Sequence, residues 1–261
     1  ITKTLIYNKI HAIIFENTNG SDRMSINRFH ELTKDYRYKI EFHAHTKPTS
    51  PCSDMSPQML IERYAKSGFD GIVLTNHFIN FLLKSEDPQE VSDTYLRDFY
   101  ETKNQGEKHN IKVYLGMEIR FPENSNDYLV YGIEENDIKE IFSYIHGDYI
   151  SFYKNFKNDK NVIVQAHPFR DGMVLQNPEF LDGIEVFNMH PGHNSRIGFA
   201  SKYANEHTEF IKTCGTDFHH EGHQGLGATL TKTLPEDSVG IAEILKSRDY
   251  LFDVAGNIII P

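Results

Sequence analysis

Apolar residues fall into short β-prone runs that recur between longer stretches with helical spacing. The run Ile40-Glu41-Phe42-His43-Ala44-His45-Thr46 has the alternation of a strand, so His43 and His45 project from one face. Ser56 followed by Pro57 reads as the cap and first turn of a helix. Its stripe is Met59, Leu60, Tyr64 and Ala65, and Gly68 ends it. Further strands are predicted at 71–75, 112–119, 127–132, 162–165, 183–187 and 210–213, with helices at 93–110, 137–145, 195–205 and 238–246. This alternation predicts parallel strands joined by helical crossovers, in a closed barrel or a doubly wound sheet. Residues 1–37 stand apart. Runs at 4–7 and 12–15 beside the polar turn 17–22 predict an N-terminal extension, a possible hairpin, in which we see no chemistry.

Residues able to hold a metal fall at or just past the end of one β-like run after another: His77, Glu118, His167, then Asp217 and His219. Such scattering over strand ends favours the barrel, whose sites gather on one face, over a doubly wound sheet, whose site lies at one switch point. Residues 38–261 are therefore expected to form a single barrel domain. No Gly-rich phosphate loop and no longer repeat interrupts this pattern.

Composition narrows the function. The 261 residues are 39% hydrophobic and 25% charged, as in a soluble globular protein, and the formal charge of −10 argues against a nucleic-acid partner. A small anionic substrate is compatible with that charge if a metal supplies local positive charge. Two cysteines, Cys52 and Cys214, make no disulfide framework, which suggests a reducing cytoplasm. No apolar run reaches the ~18 residues that span a bilayer, so no membrane partner is expected. The N-terminus has no signal pattern, and because the chain begins at Ile1 we expect its true start to lie upstream. Of the 14 histidines, His11, His30, His109, His146 and His207 sit in polar or helical settings and are assigned to the surface.

The remaining histidines and acids carry the chemistry. Glu118 follows an apolar strand and would be a costly buried carboxylate unless a cation neutralised it. Asp217 and His219, at i and i+2, repeat the spacing of His43 and His45. A His/Asp/Glu set suits zinc, manganese or iron. Arg170, three residues past His167, can meet a phosphate bidentately, and His193 and Arg196 precede another helix; either arginine reads equally as a surface charge. His190, His220 and His223 read as loop or rim residues. Cys52 reads as a small packed residue or as a thiol close to a metal.

Taken in order and spacing, His43-x-His45-Thr46, Thr75-Asn76-His77, Gly116-Met117-Glu118, Ala166-His167-Pro168 and Gly215-Thr216-Asp217-Phe218-His219 resemble the PHP (polymerase and histidinol phosphatase) family, in its short single-domain form. The resemblance implies an α/β fold, a distorted seven-stranded (β/α)7 TIM-like barrel, with two or three divalent metal ions. It implies His43, His45, Glu118 and Asp217 at a first metal, Glu118 bridging to a second held by His167, and His77 and His219 at a third. His193 resembles a position close to the substrate, suited to donating a proton to a leaving alcohol. The implied activity is a metal-dependent phosphoesterase hydrolysing a small phosphomonoester through a metal-bridged hydroxide. Asp217, His193 and Arg170 are then the catalytic candidates, and Arg170, His193 and Arg196 the substrate-binding ones. Alternatives are a metal-binding module with little turnover and a protein-tyrosine phosphatase of the same family. The sequence departs from the family at Asn76, where Asp is usual, and in the loop 47–54, where Asp54 or Cys52 would fill the third-metal position if anything does. The further histidine that many three-metal members carry between the positions of Glu118 and His167 has no clear match at 128–132, where Asp127 is a stand-in.

Overall fold

The computed structural model describes Glu31 and residues 33–261; the hairpin expected at 4–7 and 12–15, with His11 and His30, lies outside the described residues. β1 (Tyr38–Ala44) leads through a loop to α1 (Pro57–Lys66), where Ser56 accepts a hydrogen bond from the Met59 N–H, as its position before Pro57 requires. β2 (Gly71–Leu74) and β3 (His77–Ile79) follow, then α2 (Pro88–His109), β4 (Lys112–Leu115), β5 (Met117–Arg120) and β6 (Asp127–Tyr131). α3 (Asp137–Phe142) and α4 (Tyr149–Phe156) precede β7 (Val162–Gln165), β8 (Gly183–Asn188), α5 (Ile197–Glu206) and β9 (Ile211–Gly215). The chain ends with β10 (Gly227–Thr231), α6 (Ser238–Ser247), β11 (Leu251–Val254) and β12 (Asn257–Ile259).

The strands make two six-stranded sheets, ordered β12-β11-β10-β1-β2-β4 and β3-β5-β6-β7-β8-β9. The sheets are continuous in two places. β2 runs on into β3 and β4 into β5, with the Gly116 N–H donating to Leu74 O (3.0 Å) and the Glu118 N–H to Asn76 O (3.1 Å) across the break. Beyond β9 the Phe218 N–H donates to His43 O (3.1 Å) and the His45 N–H to Phe218 O (3.0 Å), a parallel bridge between the ends of β9 and β1.

Two sequence expectations are corrected here. The single strand over 112–119 is broken at Gly116, where a Cβ would come within 2.7 Å of Val73 Cγ1, so only glycine allows β2 and β4 to pass this closely. The strands are also not uniformly parallel. β5 and β6 pair antiparallel because the connection 121–126 is far shorter than the dozen or so residues a crossover takes; β7 pairs antiparallel to β6, and β10 antiparallel to β1 and β11. A helix was missed at α4, whose Tyr149, Phe152 and Phe156 are buried with helical spacing behind an Asp148 cap. α2 starts earlier than expected, at Pro88, because Asp87 caps it by accepting from the Gln89 N–H (2.9 Å).

The core has two parts. Helical residues such as Leu60, Tyr64, Tyr95, Phe99, Ile141 and Phe152 pack on one side of the strands with Ile72, Leu115, Ile119 and Ile163. Ile40, Phe42, Val73, Leu129, Tyr131 and Val164 pack with Ile241, Ala242 and Leu245 of α6, which lies against β4, β6, β7 and β9. No helix among the described residues is long and apolar enough to cross a membrane.

Candidate metal centre

Parallel strands deliver their C-terminal ends to one side of a sheet, and the chemistry gathers there. β1 supplies His43 and its exit His45, β3 His77, β5 Glu118; the segments after β7 and β9 supply His167, and Asp217 with His219. Because β6 runs antiparallel, its first residue, Asp127, reaches the same end. β1 and β8 both shift register near this end, between Glu41 and Ala44 and between Glu185 and Phe187, a device that re-aims side chains beside a site. His167 and Asp217 adopt positive φ (30° and 53°), turning their chains at the strand exits. Gly215 permits a close approach here, since a Cβ there would lie 2.4 Å from His43 Cβ.

His43 Nε2 lies 3.4 Å from both Glu118 Oε1 and Asp217 Oδ1, and His45 Nε2 lies 3.5 Å from Glu118 Oε2 and 3.3 Å from Asp217 Oδ1. All four side chains are buried. His167 Nε2 stands 3.0 Å from Glu118 Oε1 and 3.6 Å from Asp127 Oδ2, and His77 Nδ1 2.7 Å from Glu118 Oε2, off hydrogen-bonding geometry. His45 is flanked by the rings of His77 and His219, with centroids 4.4 and 4.3 Å away. Among the described residues, three groups therefore have ligand atoms close enough to share an ion: His43, His45 and Glu118; Glu118, Asp127 and His167; and His45, His77 and His219.

Two features fit a cation site better than a polar core. His43 Nε2, His45 Nε2, His77 Nδ1 and Glu118 Oε2 are buried without a hydrogen-bond partner, a state native interiors avoid. The spacing of 3.3–3.5 Å is also that of donors around a tetrahedral ion, because ligands about 2.0–2.2 Å from zinc stand roughly 3.3–3.6 Å apart. The electrostatics agree. Burial opposes the charge on Glu118 and Asp217, yet the histidines around them, His43 foremost, hold both well below the usual carboxylate range. Burial and the neighbouring His219 and His77 push His45 well below the usual imidazole value, leaving it a neutral donor. Against burial, Glu118 and the Cys52 thiol raise His77 to about 10.

The other residues singled out in the sequence sort clearly. Against a burial effect that raises it, the thiol of Cys52, an exposed residue of the 47–54 loop, is brought down to about 6 by His219 and His77. Asp54, also exposed, accepts instead from His220 Nδ1 (2.7 Å), and its reading as a third-metal ligand is corrected. His193 Nδ1 lies 3.4 Å from Asp217 Oδ2 and 3.5 Å from Arg170 Nη1, and Arg170 Nη2 lies 3.3 Å from Asp127 Oδ2. Arg196 donates to Phe169 O (2.7 Å) and pairs with Asp171, so it fastens the loop that carries Arg170. His190, read as a rim residue, is buried, stacks on His193 (3.8 Å, 17°) and is brought down to about 4, chiefly by burial. A groove of about 740 Å³ runs along β4 and α6 and contains none of these donors.

Sequence reasoning passed over four residues. Arg120 grips Asp127 with two 2.7 Å hydrogen bonds, and Glu185 holds His43 Nδ1 at 2.9 Å. Glu41 and Asp98 are likewise buried acids. The cost of an unpaired buried carboxylate, which singled out Glu118, applied equally to Glu185 inside its apolar strand. Asn76 has a structural role here. Its Nδ2 donates to Asp98 Oδ2 (2.9 Å) and Thr46 Oγ1 (3.0 Å), and its Oδ1 accepts from the Thr46 N–H (2.7 Å) and Ser50 Oγ (2.9 Å), closing the loop after His45. Asn76→Asp sets two carboxylates face to face and is expected to cost roughly 2–3 kcal/mol at neutral pH. The double variant Asn76→Asp/Asp98→Asn restores one donor and should recover most of that loss in urea titrations; an equally unstable double variant would contradict this role for the pair.

The chain matches the family described as PHP domain over residues 41–224. Among curated proteins it is similar to the PolC-type DNA polymerase III of Oceanobacillus iheyensis, at 21% identity over 203 residues, 67% of this chain and 13% of that protein. The PolC-type polymerase of Clostridium perfringens is 24% identical over 139 residues, 53% of this chain and 8% of that protein. The chain thus spans a small part of these relatives' length. Among solved structures, a two-domain protein from Bacteroides vulgatus, described as containing a predicted PHP-like metal-dependent phosphoesterase, superposes with a TM-score of 0.60 at 20% identity, over 83% of this chain and 64% of that one. PsfC from Pseudomonas syringae does so at 0.54 with 13% identity, over 78% and 86% of the two chains. These two likenesses are of fold.

Proposed function

The chain belongs to the PHP domain family, and we propose that it is a metal-dependent phosphoesterase hydrolysing a small phosphomonoester. The observation that carries this reading is the set of buried, unpartnered imidazole and carboxylate atoms at ion-sharing distances on one strand end. In this reading His43, His45, Glu118 and Asp217 hold one divalent cation, and Glu118, His167 and Asp127 a second. His77 and His219, with Cys52 beside them, make a third position. We also read the strands as one distorted barrel of seven, β1, β2/β3, β4/β5, β6, β7, β8 and β9, for which the bridge from β9 back to β1 is the support. Residues 1–37 are then an extension to a barrel domain of 38–261.

Bound divalent cations supply charge that neutralises phosphoryl oxygens and activates water toward phosphorus. The chain's own groups do the rest. Arg170, steadied by Asp127, offers its guanidinium to the phosphoryl oxygens. With Nδ1 of His193 turned to Asp217, Nε2 is the nitrogen left to give a proton to the departing alcohol. A metal-binding module without turnover is the rival reading. Asn76 and the unmatched family histidine at 128–132 favour it; of these, Asn76 is engaged by Thr46, Ser50 and Asp98 in closing the loop after His45.

Metal removal tests the proposal. Purified protein should carry at least two equivalents of zinc, manganese or iron by plasma emission and hydrolyse an aryl phosphate. Dialysis against EDTA should abolish the rate, and added metal should restore it. Turnover indifferent to EDTA would sink the proposal, and bound metal with no turnover on any phosphomonoester would favour the binding module.

A further inference from the structure

Glu185 touches no substrate position and belongs to none of the three ion-sharing groups, yet it is buried and fully engaged. Its Oε1 meets His43 Nδ1 at 2.9 Å. Its Oε2 accepts from the His167 N–H (3.0 Å) and from Asn188 Nδ2 (2.9 Å), and the same Asn188 nitrogen donates to Asp217 Oδ2 at 3.1 Å. Asn188 is itself held, its Oδ1 accepting from Ser195 Oγ (2.9 Å). One carboxylate on β8 and the amide three residues on thereby reach the segments that carry His43, His167 and Asp217.

We infer that Glu185, braced by Asn188, is the positioning residue that sets the tautomer and aim of His43 and couples it to His167 and Asp217. The inference rests on the metal-binding reading above. A carboxylate only accepts, so the proton of a neutral His43 sits on Nδ1 and the Nε2 lone pair faces Glu118 and Asp217, 3.4 Å from each. Packing beside Oε1 is close, since a Cβ on Gly215 would lie 3.2 Å from it. An amide at 185 cannot serve both sides. With its NH2 toward His43 it reverses the imidazole tautomer; with its NH2 toward His167 it meets a backbone N–H and the Asn188 amide donor to donor. Groups in this position behind a metal-bound histidine typically govern metal affinity by about 10–100-fold.

The test is zinc affinity of Glu185→Gln, measured by competition with a chromophoric chelator, alongside the His43 Nδ1–H resonance in zinc-loaded, 15N-histidine-labelled protein. Expected are a 10–100-fold loss at the tightest site and a shift or loss of that resonance, with the far-UV circular dichroism of the metal-free protein unchanged. Wild-type affinity with an unmoved resonance would overturn the inference while leaving the metal reading intact. A wild-type protein that binds no zinc, manganese or iron would overturn both. Should Glu185→Gln not fold, Asn188→Ala decides: a weakened zinc site with a displaced His43 resonance supports the coupling, and an unchanged one refutes it.

Discussion

Glu118→Gln should strip the centre of metal and reduce turnover by about three orders of magnitude or more, because the charge stabilisation a metal lends a phosphoryl transition state amounts to several kcal/mol. Glu118, like His45, belongs to two of the three ion-sharing groups, and its oxygens lie within 3.5 Å of His43, His45, His77 and His167. The amide is nearly isosteric, but it carries no charge and presents NH2 where one of the oxygens stood. At least one equivalent of metal should be lost by plasma emission, with kcat falling and the far-UV circular dichroism retained. Fold should survive because a neutral amide is easier to bury than a carboxylate. A Gln variant that kept the full metal complement would show that Glu118 is a structural acid beside the site.

The strand-face argument for His43 and His45 was legible from period-2 alternation alone, and the structure turns both Nε2 atoms to the same Asp217 oxygen. The convergence of distant motifs was legible only through their common place after apolar runs. Strand direction was not: nothing local at 127–131 distinguishes a strand entered from a hairpin from one entered by a crossover, so Asp127 could be offered only as a stand-in although β6 carries it to the cluster. Nor could the loop 47–54 be resolved, because Cys52 and Asp54 differ by two positions and only the turn closed by Asn76, Thr46 and Ser50 decides which one comes near His77 and His219. The bracing acids were hidden for another reason. Glu185, Glu41 and Asp98 each find at least one partner on a segment far away in sequence, and residue type within a strand or helix does not reveal such a partner.

These acids share a logic: each accepts hydrogen bonds from groups at the ends of strands or in the loops that follow them. Asp98 on α2 reaches Thr46 Oγ1 (2.7 Å) and Asn76, Glu185 reaches His43 and His167, and Glu41 reaches Thr216. The candidate metal donors therefore stand on segments tied to one another by buried polar groups, which hold the cluster in shape without a cation.

Glu41 gives the sharpest stability test of that arrangement. Its Oε1 accepts from the backbone N–H groups of Phe42 (3.0 Å), His43 (2.9 Å) and Thr216 (2.8 Å), and its Oε2 from Tyr64 Oη (2.7 Å), which ties β1 to α1 and to the turn before Asp217. Glu41→Ala leaves these donors buried without an acceptor. At about 1–3 kcal/mol for each such group, the loss should be at least about 3 kcal/mol in urea unfolding of the metal-free protein. Glu41→Gln should be far milder, because the amide oxygen can keep the three N–H groups while its NH2 donates to the Tyr64 hydroxyl. The two variants should also part with pH. Burial raises the Glu41 carboxyl above its ordinary value, with the bonds from Thr216, His43 and Tyr64 only partly offsetting it. Below the unfolded value of about 4.3 both states hold the proton; as pH climbs through the raised folded value, the unfolded chain has already released a proton that the fold retained, so wild-type stability falls. Glu41→Gln has no such proton to lose, and its deficit relative to wild type should narrow as pH rises across that window. A constant deficit would mean that the Glu41 carboxyl titrates alike in the folded and unfolded chains, and a Gln variant as unstable as the Ala variant would mean that its charge, rather than its acceptor oxygens, holds the strand end in place.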